Sequence, residues 1–411
     1  MTERGDRVVL AAVVFAVLLA QTLVYPGVDV LVGTLGGDGI AGSTLFLAVE
    51  FAAFALFAGP WGALSDRTGR RTGYVALAAA GGAVGYVTLA LVPAVGSVPY
   101  AAVLALRGLQ GAATVGAFTL AMSTLADLGG GNGRNMGTAG IAVGLGTALG
   151  APLGGRLYGY ATVAPLVVAA ALLAVVAGLV VLVPDRAPDP DSGSGPEAGV
   201  GAEAEAGADH GLRALVDGLR RQGDLLVPYA FGFADRFSAG FFALVGTLYF
   251  RAAFGLGPEA TGALLAAFFG PFALLQYPFG LLSDRIGRVV PVAVGSAAYG
   301  LAVVAVGVAP TVPAVAAAMA LVGVLGALMA PATLALVVDL AGPDQRGVAV
   351  AGFNAAGSLG FLVGTLVGGG VASEYGFLAA FVVAGGVELL LATAALPALS
   401  RMDPTRERVF G

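Results

Sequence analysis

Six ionisable side chains stand inside long apolar stretches of this chain: Asp29, Glu50, Arg107, Asp235, Arg236 and Glu388. In a bilayer core such a group costs about 2.5–3.5 kcal/mol on insertion scales, so it faces a cavity or a partner and marks a candidate site. Glu50 and Arg107 lie about seven and eight residues below the outer ends of their spans. At about 1.5 Å per residue both are roughly 10–12 Å deep, within pairing range of each other. Asp29 shares a helical stripe with Gln21 and Tyr25 at i, i+4, i+8, and Arg107 continues a stripe through Gln110 and Thr114. The two stripes predict one water-accessible wall. Asp235 and Arg236 sit about ten residues into a later span, where neighbours point about 100° apart, so no simple pair on one face is expected. Asp235 instead shares a stripe with Ser238 and Phe242.

A buried carboxylate beside a guanidinium can exchange a proton, or it can be a structural ion pair that never titrates. Aromatic residues surround the candidates: Phe46, Phe54 and Phe57 flank Glu50, and Phe269, Phe272 and Gln276 share one face of a later span. A carboxylate among aromatic rings suits an amphipathic or cationic organic molecule. The same stripes also suit packing against lipid or other helices. The chain has no Cys and one His, His210. Thiolate nucleophiles, thiolate or multi-His metal sites and Ser/His triads are thereby excluded, so no metal, cofactor or enzyme activity is expected. The Gly-rich runs at 129–133 and 368–370 follow no strand and make poor phosphate cradles.

The elements that must hold these residues are membrane spans. Of 411 residues, 58% are apolar and only 11% charged, and mean hydropathy is +0.91; a soluble domain carries about 25% charged residues. Charge-free stretches, divided at the Pro/Gly turns near Pro93–Pro99 and Pro310–Pro313, predict twelve spans. These are 8–32, 43–64, 72–92, 99–127, 136–157, 163–183, 225–250, 261–282, 289–308, 313–339, 348–371 and 378–397. The basic residues number 20, all Arg. With the N-terminus inside, sixteen of them fall on the cytoplasmic side, so both termini are expected in the cytoplasm. The segment 184–224 holds nine acids and four arginines, a net charge of −5 equal to that of the whole chain. Its first part, Pro184–Ala208, reads as a disordered linker, and Gly211–Arg221 as a short amphipathic surface helix. The expected domains are 1–183, the linker 184–224, 225–399 and a cytoplasmic tail 400–411.

An internal repeat supports this division. Residues 62–70 read GALSDRTGR and residues 280–288 read GLLSDRIGR, matching at seven of nine positions. The first copy, Gly62, Leu64, Asp66, Arg67, Gly69, Arg70 and Arg71, resembles the GxLxDRxGRR loop of the major facilitator superfamily. The second copy, with Gly280, Asp284, Arg285, Gly287 and Arg288, departs only at Val289. Arg107, Gln110 and Gly111 resemble the superfamily's RxxQG motif. Gly137, Gly146, Gly150 and Gly154 reproduce the glycine spacing of its drug:proton antiporter branch, except that Ala151 stands at the proline position and Pro152 follows.

The resemblance implies an all-α fold of two pseudo-symmetric six-helix bundles, a substrate site between them and alternating access by rocking. In it the twelfth span is peripheral, which ranks Glu388 last among the buried acids. Gly62 and Gly69 are expected to let helix ends cross closely, and Asp66 to cap the eleventh span. Arg70 is expected to reach Asp127, with Asp284, Arg288 and Asp339 as the equivalent set. These groups read as a cytoplasmic gate lock rather than a substrate site; the alternative is that the arginines only fix topology. A carboxylate among Glu50, Asp235 and Asp29 is expected to exchange a proton with each side in turn. The resulting expectation is proton-coupled export of small organic compounds across the plasma membrane by a monomer, with substrate, protons and lipid as partners and no nucleic acid. Import or facilitated diffusion of a metabolite is the alternative, and a sensor on a transporter scaffold a more distant one.

Overall fold

The computed structural model describes residues 3–129, 132–185, 223–341 and 345–402. The expectations for Gly211–Arg221, His210, most of the 184–224 linker and the tail beyond 402 lie outside these residues. Among the described residues the chain is helical, without strands.

Long apolar sequence broken by Pro and Gly gives long helices. They are α1 (Glu3–Leu23), α2 (Val28–Thr34), α3 (Gly39–Thr68), α4 (Thr72–Val95), α5 (Tyr100–Ala126), α6 (Asn132–Tyr158) and α7 (Ala164–Val180). The series continues with α8 (Leu226–Phe241), α9 (Thr247–Phe254), α10 (Pro258–Ile286), α11 (Val289–Val308), α12 (Val312–Leu340), α13 (Arg346–Tyr375) and α14 (Phe377–Leu399). Among the described residues, eleven helical segments are long and apolar enough to cross a membrane, and Ala164–Val180 is a shorter apolar helix. Together they cover the twelve expected spans. Two spans are interrupted: a 3-10 turn, Tyr25–Gly27, divides α1 from α2 around Pro26, and a π-turn, Phe242–Gly246, divides α8 from α9. Proline removes an amide donor, and the wider π-turn re-aims the side chains beyond it.

Both copies of the repeated motif end their helices alike. Gly69 has φ +64° and Gly287 has φ +87°, left-handed geometry that a side chain disfavours. A Cβ on Gly62 would meet nothing within 4 Å. The expected close crossing at Gly62 and Gly69 is therefore corrected: Gly69 serves the turn, and Gly62 has open space beside it.

The chain forms two compact units. The first holds the described residues through 185 together with Gly246–Ala263; the second holds residues 223–245 and the described residues from Leu264 onward. Within the first, α1 packs on α5, α6 and α7, and α4 on α5 and α7. Within the second, α8 packs on α12, α13 and α14, and α11 on α12 and α14. The partnerships of α1 with α6, α4 with α5 and α4 with α7 thus recur as α8 with α13, α11 with α12 and α11 with α14. Part of the second core comprises Phe231, Val292, Leu336 and Leu399, each under 4% exposed.

Candidate functional site

The first unit places Glu50 of α3 and Arg107 of α5 together, both fully buried and joined by a direct ion pair. Arg107 Nη1 also donates to Gln110 Oε1 at 2.5 Å, and Gln110 Nε2 donates to Thr114 Oγ1 at 2.6 Å. The i, i+3, i+7 stripe read from the sequence is therefore a hydrogen-bonded chain along α5. The guanidinium carbon lies 4.6 Å from the Phe46 ring centroid and 5.7 Å from that of Tyr86. Aromatic faces supply negative potential to a cation that water cannot reach. Tyr25 is buried and within electrostatic reach of both Glu50 and Arg107. Phe54 is half-buried and Phe57 exposed, so of the three flanking rings only Phe46 joins the pair.

Asp29 lies apart from this cluster. It belongs to α2, beyond the turn at Tyr25–Gly27, so the straight stripe expected from Gln21 through Tyr25 to Asp29 is broken by the backbone. Its carboxylate accepts from Arg251 Nε at 2.8 Å. Gln21 is buried.

In the second unit Asp235 and Arg236 do form a pair: Arg236 Nη1 donates to Asp235 Oδ2 at 2.9 Å. The expectation that they would not rested on Cβ directions. An arginine stem is long enough to turn its head back through that angle. Ser238 is fully buried, and Phe242, in the π-turn, packs against Phe241, Phe268 and Phe381. Phe242 is thus part of an aromatic cluster, while Gln276 is half-buried on α10.

At the repeated loops the pairing partly differs from expectation. Arg71, not Arg70, makes the ion pair with Asp127, and it also reaches Asp66 at 3.6 Å. The left-handed Gly69 ends α3 and Arg71 is the residue preceding α4; from there it meets Asp127, which terminates α5. Arg67 and Arg70 are exposed. In the second unit Arg288 binds Asp284 at 2.5 Å and Asp339 at 3.0 Å, and Ser283 accepts from it at 3.1 Å. Partial burial opposes the charge of Arg288, but these two carboxylates outweigh it and raise its pKa. Arg285 is exposed.

The α6 glycines lie directly on α1. A Cβ on Gly146 would stand 2.8 Å from the Phe15 carbonyl oxygen, one on Gly150 would overlap Thr22, and one on Gly154 would overlap the Leu23 carbonyl. Pro152, half-buried, sits within α6 without ending it. In the second unit Gly360 and Gly364 meet the Phe233 and Phe237 carbonyls in the same way.

The sequence matches the family described as the Major Facilitator Superfamily over residues 10–244 and 229–410. The chain belongs to that superfamily. As a superfamily member it is a multi-pass membrane transporter rather than an enzyme. Among solved structures it is similar to the nucleoside transporter NupG, with a TM-score of 0.75 and 15% identity over 97% of this chain and 99% of that one. It is also similar to a bacterial homologue of the human lysosomal transporter Spinster, with a TM-score of 0.74 and 15% identity over 97% and 96% of the two chains. The human organic anion transporter MFSD10 gives a TM-score of 0.61 and 24% identity over 96% and 99%. At these identities the likeness concerns the fold. A search of curated protein sequences finds no match.

The polar contacts of Arg7, Trp61 and Asp185 have no counterpart among the expectations from sequence. Arg7, buried, donates to Asn135 Oδ1 at 2.6 Å and to the Gly129 carbonyl at 2.7 Å, tying the start of α1 to the α5–α6 connection. Trp61 Nε1 donates to the Ala112 carbonyl at 2.7 Å, its ring lying where Gly116 leaves room. Asp185, assigned to the linker, instead caps α4: its Oδ1 accepts from the amides of Arg71 and Thr72 at 2.9 and 2.7 Å and from the Thr72 hydroxyl at 2.7 Å. Partial burial pushes its pKa up, but the Thr72 and Arg71 hydrogen bonds and the Arg70 charge prevail and hold it below the usual carboxylate value. None of these pairings has a sequence signal, because each joins residues more than 50 positions apart.

Proposed function

We propose that this chain is a proton-coupled exporter of small hydrophobic or cationic organic compounds that works by alternating access. The observation that carries the reading is the α6 glycine ladder on α1, which has the spacing of the antiporter branch and leaves the two helix backbones in contact. Its second support is the dry Glu50–Arg107 pair, with Asp235 and Asp29 as further carboxylates able to trade a proton. On this reading the chain resides as a monomer in the plasma membrane with both termini cytoplasmic. Asp66, Arg71 and Asp127, and likewise Asp284, Arg288 and Asp339, form ion-pair locks that break when the cytoplasmic side opens. Gln21, Tyr25 and Phe54 in the first unit, and Gln276 in the second, are the side chains this reading assigns to substrate.

The rival reading is import or facilitated diffusion of a metabolite, and the likeness to NupG, a nucleoside transporter by name, favours it about as well. Proteoliposomes separate the two. Under an imposed pH gradient, ethidium is expected to move against its own gradient, and E50Q or D235N to weaken that coupling. Coupling unchanged in both variants removes the proton-exchange reading, and uridine flux indifferent to pH establishes the rival.

A further inference from the structure

The second unit buries a polar cluster that the sequence leaves scattered over three helices. Glu388, midway along α14, is fully buried. Ser296 of α11 donates to its Oε2, while Oε1 is buried with no hydrogen-bond partner. Asp235 of α8, itself buried, acts on it electrostatically. The Tyr299 hydroxyl of α11 is within electrostatic reach of both carboxyls, and it lies beside the Ser238 hydroxyl without hydrogen-bond geometry.

The groups facing Glu388 can be named helix by helix. α14 packs on α11, α8 and α13. From α11 come Ser296 and Tyr299 and from α8 comes Asp235, while Arg236 pairs with Asp235 and lies with its stem against Gly357 of α13. Along α13 no acid or arginine occurs between Gly347 and Ser373.

Charge then decides the state of the cluster. Arg236 is already paired with Asp235, so it neutralises one carboxylate and not two. An ionised Glu388 would be a buried anion held by a single neutral hydroxyl, an arrangement that burial strongly disfavours. Carrying a proton, the same side chain is a neutral acid that accepts from Ser296 and has a hydroxyl of its own to give.

We propose that Glu388 is a proton-binding site within the second unit, carrying its proton while the cluster is closed and hydrogen-bonded to Ser296. Opening this cluster to water would release the proton from Glu388, and closing it would require one to be bound. The inference stands on the contents of the cluster and holds whether the cargo is exported or imported.

The test reads protonation directly, without substrate. Infrared spectra of the full-length protein in lipid nanodiscs, at neutral pH, are expected to show a protonated-carboxyl carbonyl band that is lost in E388Q and kept in E50Q. D235N is expected to shift the midpoint at which the band titrates. Gln is nearly isosteric with the neutral acid, so E388Q is expected to fold; S296A gives a second reading, a shifted band frequency from the lost hydrogen bond. A band that survives E388Q, or that S296A leaves unmoved, overturns the proposal. A midpoint that moves with sodium at constant ionic strength also overturns it, since the occupant would then be a metal cation.

Discussion

At the scale of single residues, the consequential feature is a carboxylate and a guanidinium buried together. Removing one partner of such a pair leaves the other charged and unsolvated, at a cost of about 3–5 kcal/mol, whereas removing both leaves no stranded charge. R107Q is therefore expected to lower the melting temperature in detergent more than the double variant E50Q/R107Q does; a double mutant at least as unstable as R107Q contradicts this. Asp185 gives the opposite case of an exposed carboxylate. D185A is expected to cost about 0.5–1 kcal/mol, the low end for a lost helix cap. Because its folded pKa is lowered, its stabilisation is present above the unfolded value of about 4 and disappears as pH falls through the lower folded value. The melting curves of wild type and D185A should thus converge on acidification, and a gap that persists in acid contradicts the assignment. The Glu50–Arg107 pair was legible from depth alone, since both side chains lie equally far from one membrane face. The Asp235–Arg236 pair was not, because Cβ directions say nothing about where a flexible stem carries its head.

At the scale of elements, glycine has two distinct uses that substitution separates. Gly154 lies on the Leu23 carbonyl, and because that neighbour is backbone, a methyl there must push two helices apart. G154A is expected to destabilise by about 1–3 kcal/mol, the range for overpacking. Gly62 is inside α3 with open space beside it, so G62A gains helix propensity and is expected to stabilise by about 0.5–1 kcal/mol. Thermal unfolding of the two variants tests both signs; equal effects would mean that helix contact does not distinguish these sites. The spans could be read from charge-free runs and their Pro/Gly boundaries, with ends that differ from the helices by up to about five residues. The interruptions at Tyr25–Gly27 and Phe242–Gly246 could not, although Pro26 marks the first. A π-turn, Phe242–Gly246, leaves no comparable mark in the sequence.

At the scale of the whole molecule, the absence of cysteine makes sidedness directly measurable. The arginine distribution predicts Thr68 and Arg285 on the cytoplasmic face and Ser97 and Thr311 on the other. Single-cysteine variants T68C and R285C are expected to react with an impermeant maleimide only after the membrane is permeabilised, and S97C and T311C to react in intact cells; the reverse pattern would invert the topology. Hydrophobicity, arginine bias and the duplicated loop already determined an all-helical, twelve-span chain with two related halves, because these are one-dimensional consequences of what a bilayer tolerates. Only the tertiary structure decided which arginine reaches Asp127, that Asp185 caps a distant helix, and that Glu388 is buried against Ser296 of another helix. Such contacts depend on the rotation and crossing of helices far apart in the chain, where periodicity fixes a face but does not select the partner it meets.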